Sequence, residues 1–502
     1  MSELLRCKNI DTLIAASDDP AKRLRKSLGP WSLTALGVGA VIGAGIFTIT
    51  GTAAAGETRT VNSILHAPIL DLLLQGVNTT STIGRPGAGP AISLSFILLA
   101  AVCSLAALCY AELASMIPIA GSAYTYAYAT LGEIFAWIIG WDLILEYAVS
   151  NMAVAVGFSA YFNDILDSLF GFRLPEYLSQ PPLVGGQLTG AVFNLPALLI
   201  IMVLTYILVR GIRESAGANN IMVLVKVAAI LIFVFGAAPA VNSANWHPFM
   251  PNGFPGVITG AAIVFFAYIG FDSVSTAAEE CRRPQRDLPF GIIMTLIICT
   301  LLYVSVSLVL TGIANWQTLG NAAPVANALR TLGYDGVRRW VGVGAIVGMI
   351  SSLMVFQYGQ ARIWYAMSRD GLLPRVFSNV HPKFRTPHIS TWVAGFAVGL
   401  PAGVWDIGTF ADLSNIGTLF AFCVVSAGVL VLRRQQPERP RGFRVPFSPF
   451  IPVASIACCF VLMMGLPLET WLRFFIWLGI GLVIYFLFGR KHSTENKRMA
   501  AD

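Results

Sequence analysis

The stretch GVGAVIGAGIF (residues 37–47) places four glycines, Gly37, Gly39, Gly43 and Gly45, in the middle of the first long apolar run. Each weakens a helix by about 1 kcal/mol relative to Ala. In a bilayer, irregular backbone is tolerated only where it is buried in protein or lines a cavity. Plain alternatives exist. Gly39 and Gly43 make a G-x-x-x-G packing face, and glycine is common in membrane helices. The spacing also approaches a dinucleotide fingerprint, but it has one residue too many and no preceding strand. The functional reading is a helix broken near residues 42–45. A break there frees amide N–H groups at the positive end of a second half-helix, a site suited to a carboxylate.

Composition sets the context. The 502 residues are 56% hydrophobic and only 12% charged, too little charge to cover a soluble protein of this size. The apolar runs are too long for the alternating strands of a membrane barrel. A net charge of +7 invites a nucleic-acid reading, but the basic residues sit in short loops between apolar runs, where they set membrane orientation. The first 28 residues are polar and basic, without the apolar core of a signal peptide, so the first span is expected to direct insertion. Cys103, Cys109, Cys299, Cys423, Cys458 and Cys459 fall in apolar runs, and no disulfide framework is expected.

Twelve segments are long enough to cross: 31–54, 89–115, 126–158, 192–210, 218–240, 256–278, 289–313, 340–367, 389–405, 409–432, 449–466 and 469–489. The third and eighth are long, which predicts tilt or extension past the bilayer. Alternate loops on the side of the termini carry 25 of the 33 Lys and Arg, which predicts cytoplasmic termini. Residues 57–88 then form an extracellular insertion. Its part VNSILHAPILDLLLQGVN (residues 61–78) reads either as a short interfacial helix or as a disordered insertion, and TTSTIGRPGAGP (residues 79–90) reads as a flexible connector.

A second interrupted span supports the broken-helix reading. The sixth, GAAIVFFAYIGFDSVSTAAEE (residues 260–280), holds Gly270 and Asp272. Spans 1 and 6 are five apart, as in an inverted five-plus-five repeat with its site between paired breaks. Free amides at one break and free carbonyls at the other suit a zwitterion such as an α-amino acid.

The stretches GVGAVIGAGIFTITG, ALCYAELASMIPIAGSAYTYAYATLGE, AWIIGWDLILEYAVS, FFAYIGFDSVSTAAEE with RRPQRDLPFGI, and YGQARIWYAMSRDGLLP extend over most of the chain. In combination they resemble the amino acid–polyamine–organocation (APC) superfamily, specifically bacterial relatives of the cationic amino acid transporters. The 57–88 insertion departs from that pattern. The resemblance implies an all-α, LeuT-like fold: a cytoplasmic arm at 1–29, a first repeat at 30–240, a second at 241–435, two further helices at 436–489 and a cytoplasmic tail at 490–502. It implies that the substrate carboxylate meets backbone around Ile42, Gly43, Ala44 and Gly45. The substrate ammonium would meet carbonyls near Phe266, Ala267 and Ile269. Relatives often carry Thr or Ser where Ala44 stands, so the backbone is expected to hold the carboxylate alone.

Lys226, in NIMVLVKVAAILIF, lies several residues from either end of its span. Snorkelling toward the cytoplasm is the structural alternative, but an ionisable residue at this depth is by default a functional candidate. By the resemblance, it sits where sodium-coupled relatives bind an ion, and its ammonium would tie spans 1, 5 and 8 together and couple transport to protons. Glu146 lies mid-span, one turn from Asp142 on the same helix face. It is read as a pocket residue or as a structural acid between helices. Glu112 and Asp272 read as gate or network residues. Phe356, by the resemblance, closes the far end of the pocket and favours small or neutral side chains, or else packs against lipid.

No P-loop, metal-ligand spacing or catalytic triad occurs in the sequence, so no enzyme activity, metal or cofactor is expected. The expected function is proton-coupled amino acid symport by alternating access in a bacterial inner membrane. The alternatives are an exchanger without net proton coupling and an amino-acid-binding transceptor. The expected partners are an amino acid, protons and the lipid bilayer, with no nucleic acid; a small single-span membrane partner stays open.

Overall fold

The chain is almost entirely helical in the computed structural model, which describes residues 5–11, 14, 28–58, 65, 67–75, 84–119, 121–184, 187–211, 216–384 and 386–494. The helices used below are α1 (Pro30–Val41), α2 (Thr50–Ala55), α3 (Ile69–Gln75), α4 (Ile92–Met116), α5 (Ser122–Thr130) and α6 (Glu133–Phe170). They continue with α7 (Leu195–Val209), α8 (Ala216–Ala237), α9 (Gly253–Val264), α10 (Pro284–Ile313), α11 (Asp335–Arg369) and α12 (His388–Ala402). The last three are α13 (Ile407–Gln435), α14 (Phe450–Met464) and α15 (Leu468–Ile484). Two antiparallel strands, β1 (Gly56–Thr58) and β2 (Gly84–Pro86), pair Gly56 with Pro86.

Among the described residues, eight helical segments are long and apolar enough to cross a membrane, nine when the bent pair around residue 43 counts as one. α7 and α14 are shorter apolar helices. The core is centred on α6, whose widest packing is against α11 and α13. In its most apolar window α6 is 89% buried, against 22% for the segment that contains α15, so α6 is the central post and α15 lies at the periphery.

Two readings of the sequence need correction. The third apolar segment does not run unbroken over 126–158. Residues 122–130 form the separate helix α5, and the chain turns at Gly132, whose φ of 103° suits glycine alone, before α6 begins at Glu133. The hydropathy of the two helices is continuous, so the turn left no gap in the apolar pattern. The connector after the insertion is also not loose at its end. Residues 84–86 pair with β1, and the buried Arg85 grips Asp412 of α13 through two hydrogen bonds of 2.7 and 2.8 Å. Within the expected interfacial helix, α3 is helical and its approach is held by Leu468 N–H donating to Ala67 O at 3.1 Å. The rest of that expectation, at 61–64, 66 and 76–83, lies outside the described residues.

Candidate functional site

α1 ends at Val41, and Ile42 takes an extended conformation (φ −79°, ψ 95°). The chain resumes as a π-turn over Gly45–Ile49 that leads into α2, and the two halves meet at 43°. α9 loosens likewise into a tighter helical turn at Phe265–Tyr268, then Ile269 is extended and Gly270 has φ 119°. The two breaks touch. A Cβ on Gly45 would collide with the backbone of Ala267, so glycine there permits the crossing.

A helix end leaves its last carbonyls without intrahelical partners. At the end of α1 those carbonyls are met by side chains from three other helices. Lys226 Nζ of α8 donates to Gly39 O at 2.6 Å and Ile42 O at 3.0 Å. Ser352 Oγ of α11 lies within 3.4 Å of Gly39, Ala40 and Ile42 carbonyls. Tyr303 OH of α10 lies 3.0 Å from Val41 O and 2.9 Å from Ala267 O. A cation at a helix C-terminus also suits the dipole. The acceptors at this break are therefore engaged, while the half-helix that starts at residues 44–45 presents its first amides, which no turn within it can satisfy. The site is donor-rich and fits an anionic group.

A cavity of about 10 Å³ lies at the break, room for no more than one water. Gly43, Ala44 and Gly45 line it on one side, Phe266 and Ile269 on the second, and Phe356, Ser352 and Val154 close it. Six of the residues singled out in the sequence therefore share one wall-to-wall space: Gly43, Ala44, Gly45, Phe266, Ile269 and Phe356. Phe356 also stands 5.8 Å from the Tyr147 ring, centroid to centroid, so it packs inward rather than against lipid.

Four others stand elsewhere. The amide of Ile42 is spent on Val38 O, 3.0 Å away, so Ile42 belongs to the carbonyl end of the break and has no N–H for a carboxylate. Ala267 is at the crossing of the two spans, and its carbonyl accepts from Tyr303. Glu146 is buried but off the cavity wall, within electrostatic reach of Asp142 and Asp272. Lys226 is fully buried behind the break and does not snorkel. Sequence reading missed Ser352, Tyr303 and Val154. The adjacent serines Ser351 and Ser352 in an apolar span were the one available signal; Tyr303 and Val154 carried none.

The two ends of the molecule differ. At the end reached by α2, a cavity of about 640 Å³ is lined by Thr52, Gly56, Val156, Ala160, Asn321 and Ile407, among others. At the end that carries the N-terminal arm, polar contacts close the helices together. Glu112, buried in α4, pairs with Arg433 and Arg441 and accepts from Val445 N–H at 2.7 Å, a network role. Lys8 pairs with Asp370 at 2.8 Å, where Tyr124 OH also donates at 2.6 Å. Asp11 meets Arg439 at 2.7 Å, and Asp272 accepts from Ser122 at 3.3 Å.

A family profile described as amino acid permease matches residues 28–486. Among curated proteins, the chain is 47% identical over 497 residues to the methylthioribose transporter of Bacillus subtilis, covering 99% of this chain and all of that one. It is 46% identical over 496 residues to the branched-chain amino acid permease BcaP of Bacillus subtilis, covering 98% and 99% of the two chains. It is 37% identical over 414 residues to the chloroplastic cationic amino acid transporter 9 of Arabidopsis thaliana, covering 82% and 67%.

Proposed function

We propose, on the premise that this chain belongs to the amino acid permease family, that it is a secondary active transporter that carries small or neutral L-amino acids inward with protons. It is a multi-span membrane protein and not an enzyme. The observation that carries the substrate reading is the one-sided chemistry of the break. Lys226, Ser352 and Tyr303 engage the carbonyls of α1, while the amides of residues 43–45 border the cavity. That leaves donors for a carboxylate.

The carboxylate sits on the backbone of Gly43, Ala44 and Gly45, and the ammonium turns toward the carbonyls of Phe266 and Ile269. Phe356 limits side-chain length. Lys226 is the coupling residue: its proton holds Gly39 and Ile42 to α8, and its loss frees those carbonyls and loosens the break. Two inverted repeats, at 30–240 and 241–435, rock against each other around this site in a twelve-span LeuT-like fold, with 436–489 outside it. The termini are cytoplasmic, so the 640 Å³ vestibule faces outward and the salt-bridged end is the closed inner side.

The likeness to a methylthioribose transporter favours a second reading, a hydroxylated thio-sugar with no carboxylate. Uptake of labelled leucine into proteoliposomes, with competing amino acids and methylthioribose, separates the two. Competition by neutral L-amino acids supports the first; competition by methylthioribose alone supports the second.

A further inference from the structure

Buried hydroxyls in membrane helices usually turn back onto a carbonyl of the preceding turn. This chain follows that rule at Thr205, Thr295, Thr311 and Thr418. Thr48 is an exception. Its side chain is fully buried, and its hydroxyl has no hydrogen-bond partner among the described residues. The reason is local. Residues 45–49 form the π-turn, in which Thr50 N–H and Thr50 Oγ1 both bond to Gly45 O, five residues back. An orphaned buried hydroxyl costs about 1–3 kcal/mol in desolvation.

Its place in the molecule is specific. A Cβ built on Gly157 of α6 would lie 3.1 Å from Ala44 Cβ, 3.3 Å from Thr48 Oγ1 and 3.6 Å from Ile407 Cδ1. Ala44 belongs to the wall of the small cavity, and Ile407 to the wall of the large vestibule. The missing side chain of Gly157 thus leaves a notch between the two spaces, and the unpartnered hydroxyl borders it.

We propose that Thr48 is a substrate-contacting residue, whose hydroxyl donates to the amino acid carboxylate as it passes through the Gly157 notch from vestibule to cavity. The inference rests on the transport reading above. It supplies a hydroxyl one turn outward from Ala44, which has none. The carboxylate then meets one donor before it reaches the amides at residues 43–45.

The test compares full-length wild type, Thr48→Val, Thr48→Ser and Gly157→Ala in proteoliposomes, using labelled leucine uptake. Unlabelled leucine and leucinamide, which lacks the carboxylate, serve as competitors. Thr48→Val should raise the leucine KM about tenfold with Vmax within about twofold, as for a hydrogen bond to a charged group. Its leucinamide inhibition constant should stay at the wild-type value. Thr48→Ser should restore the leucine KM, and Gly157→Ala should slow uptake by closing the notch. Thermal unfolding of Thr48→Val should match or exceed wild type, because only an unpaired hydroxyl is removed. A wild-type KM in Thr48→Val, equal losses for leucine and leucinamide, or a lowered melting temperature with unchanged KM overturns the inference. If wild type takes up no amino acid, the functional reading fails first, a result distinct from unchanged kinetics in an active Thr48→Val.

Discussion

The side-chain nitrogen of Lys226 lies 2.6 Å from the carbonyl oxygen of Gly39, deep in the helix bundle and with the lysine fully buried. The bond joins α8 to the end of a broken helix, where orphan carbonyls need donors. A protonated amine has three donors and no acceptor, so its proton state sets how firmly the break is held. Lys226→Ala is therefore expected to abolish proton-driven accumulation while protein remains insertable in the membrane. Uptake under an imposed proton gradient checks this; retained gradient-driven accumulation would remove Lys226 from the mechanism.

Phe356 forms one wall of the small cavity and contacts Tyr147. Phe356→Ser should lengthen the pocket and admit larger side chains, such as arginine, as competitors of leucine uptake. An unchanged competitor panel would place the selectivity filter elsewhere.

Gly45 abuts the Ala267 backbone at the crossing of the two broken spans. Gly45→Ala should force the breaks apart, with overpacking of about 1–3 kcal/mol and loss of transport by at least about tenfold. Normal uptake in Gly45→Ala, with the melting temperature unaltered, would show that the crossing is not tight in the working protein.

Much of this site was legible in the chain because glycine in an apolar span is costly and calls for a reason. The breaks at residues 42–45 and 269–270 follow from that alone. What could not be read is which partners close the break. Ser352 and Tyr303 are ordinary residues of apolar helices until packing brings them to the carbonyls of α1. The turn at Gly132 was hidden because α5 and α6 are both apolar. Arg85 was read as part of a flexible connector, since its partner Asp412 lies more than three hundred residues away.

That ion pair should matter for stability. Both side chains are nearly inaccessible, at 2% and 6% exposure, so removing one partner leaves a buried charge. Arg85→Ala is expected to destabilise by about 3–5 kcal/mol. Arg85→Ala combined with Asp412→Ala should cost less than the two single changes added together. Thermal unfolding in detergent reads both; additive losses would mean that the pair does not act as a unit.

The central claim is proton-coupled inward transport of amino acids through the break in the first span. Labelled leucine uptake into empty proteoliposomes, with and without an imposed inward proton gradient, tests it most directly. The account predicts accumulation above equilibrium with the gradient, none without it, and none in Lys226→Ala. Uptake only into liposomes preloaded with amino acid, indifferent to the gradient, would contradict it and establish exchange instead.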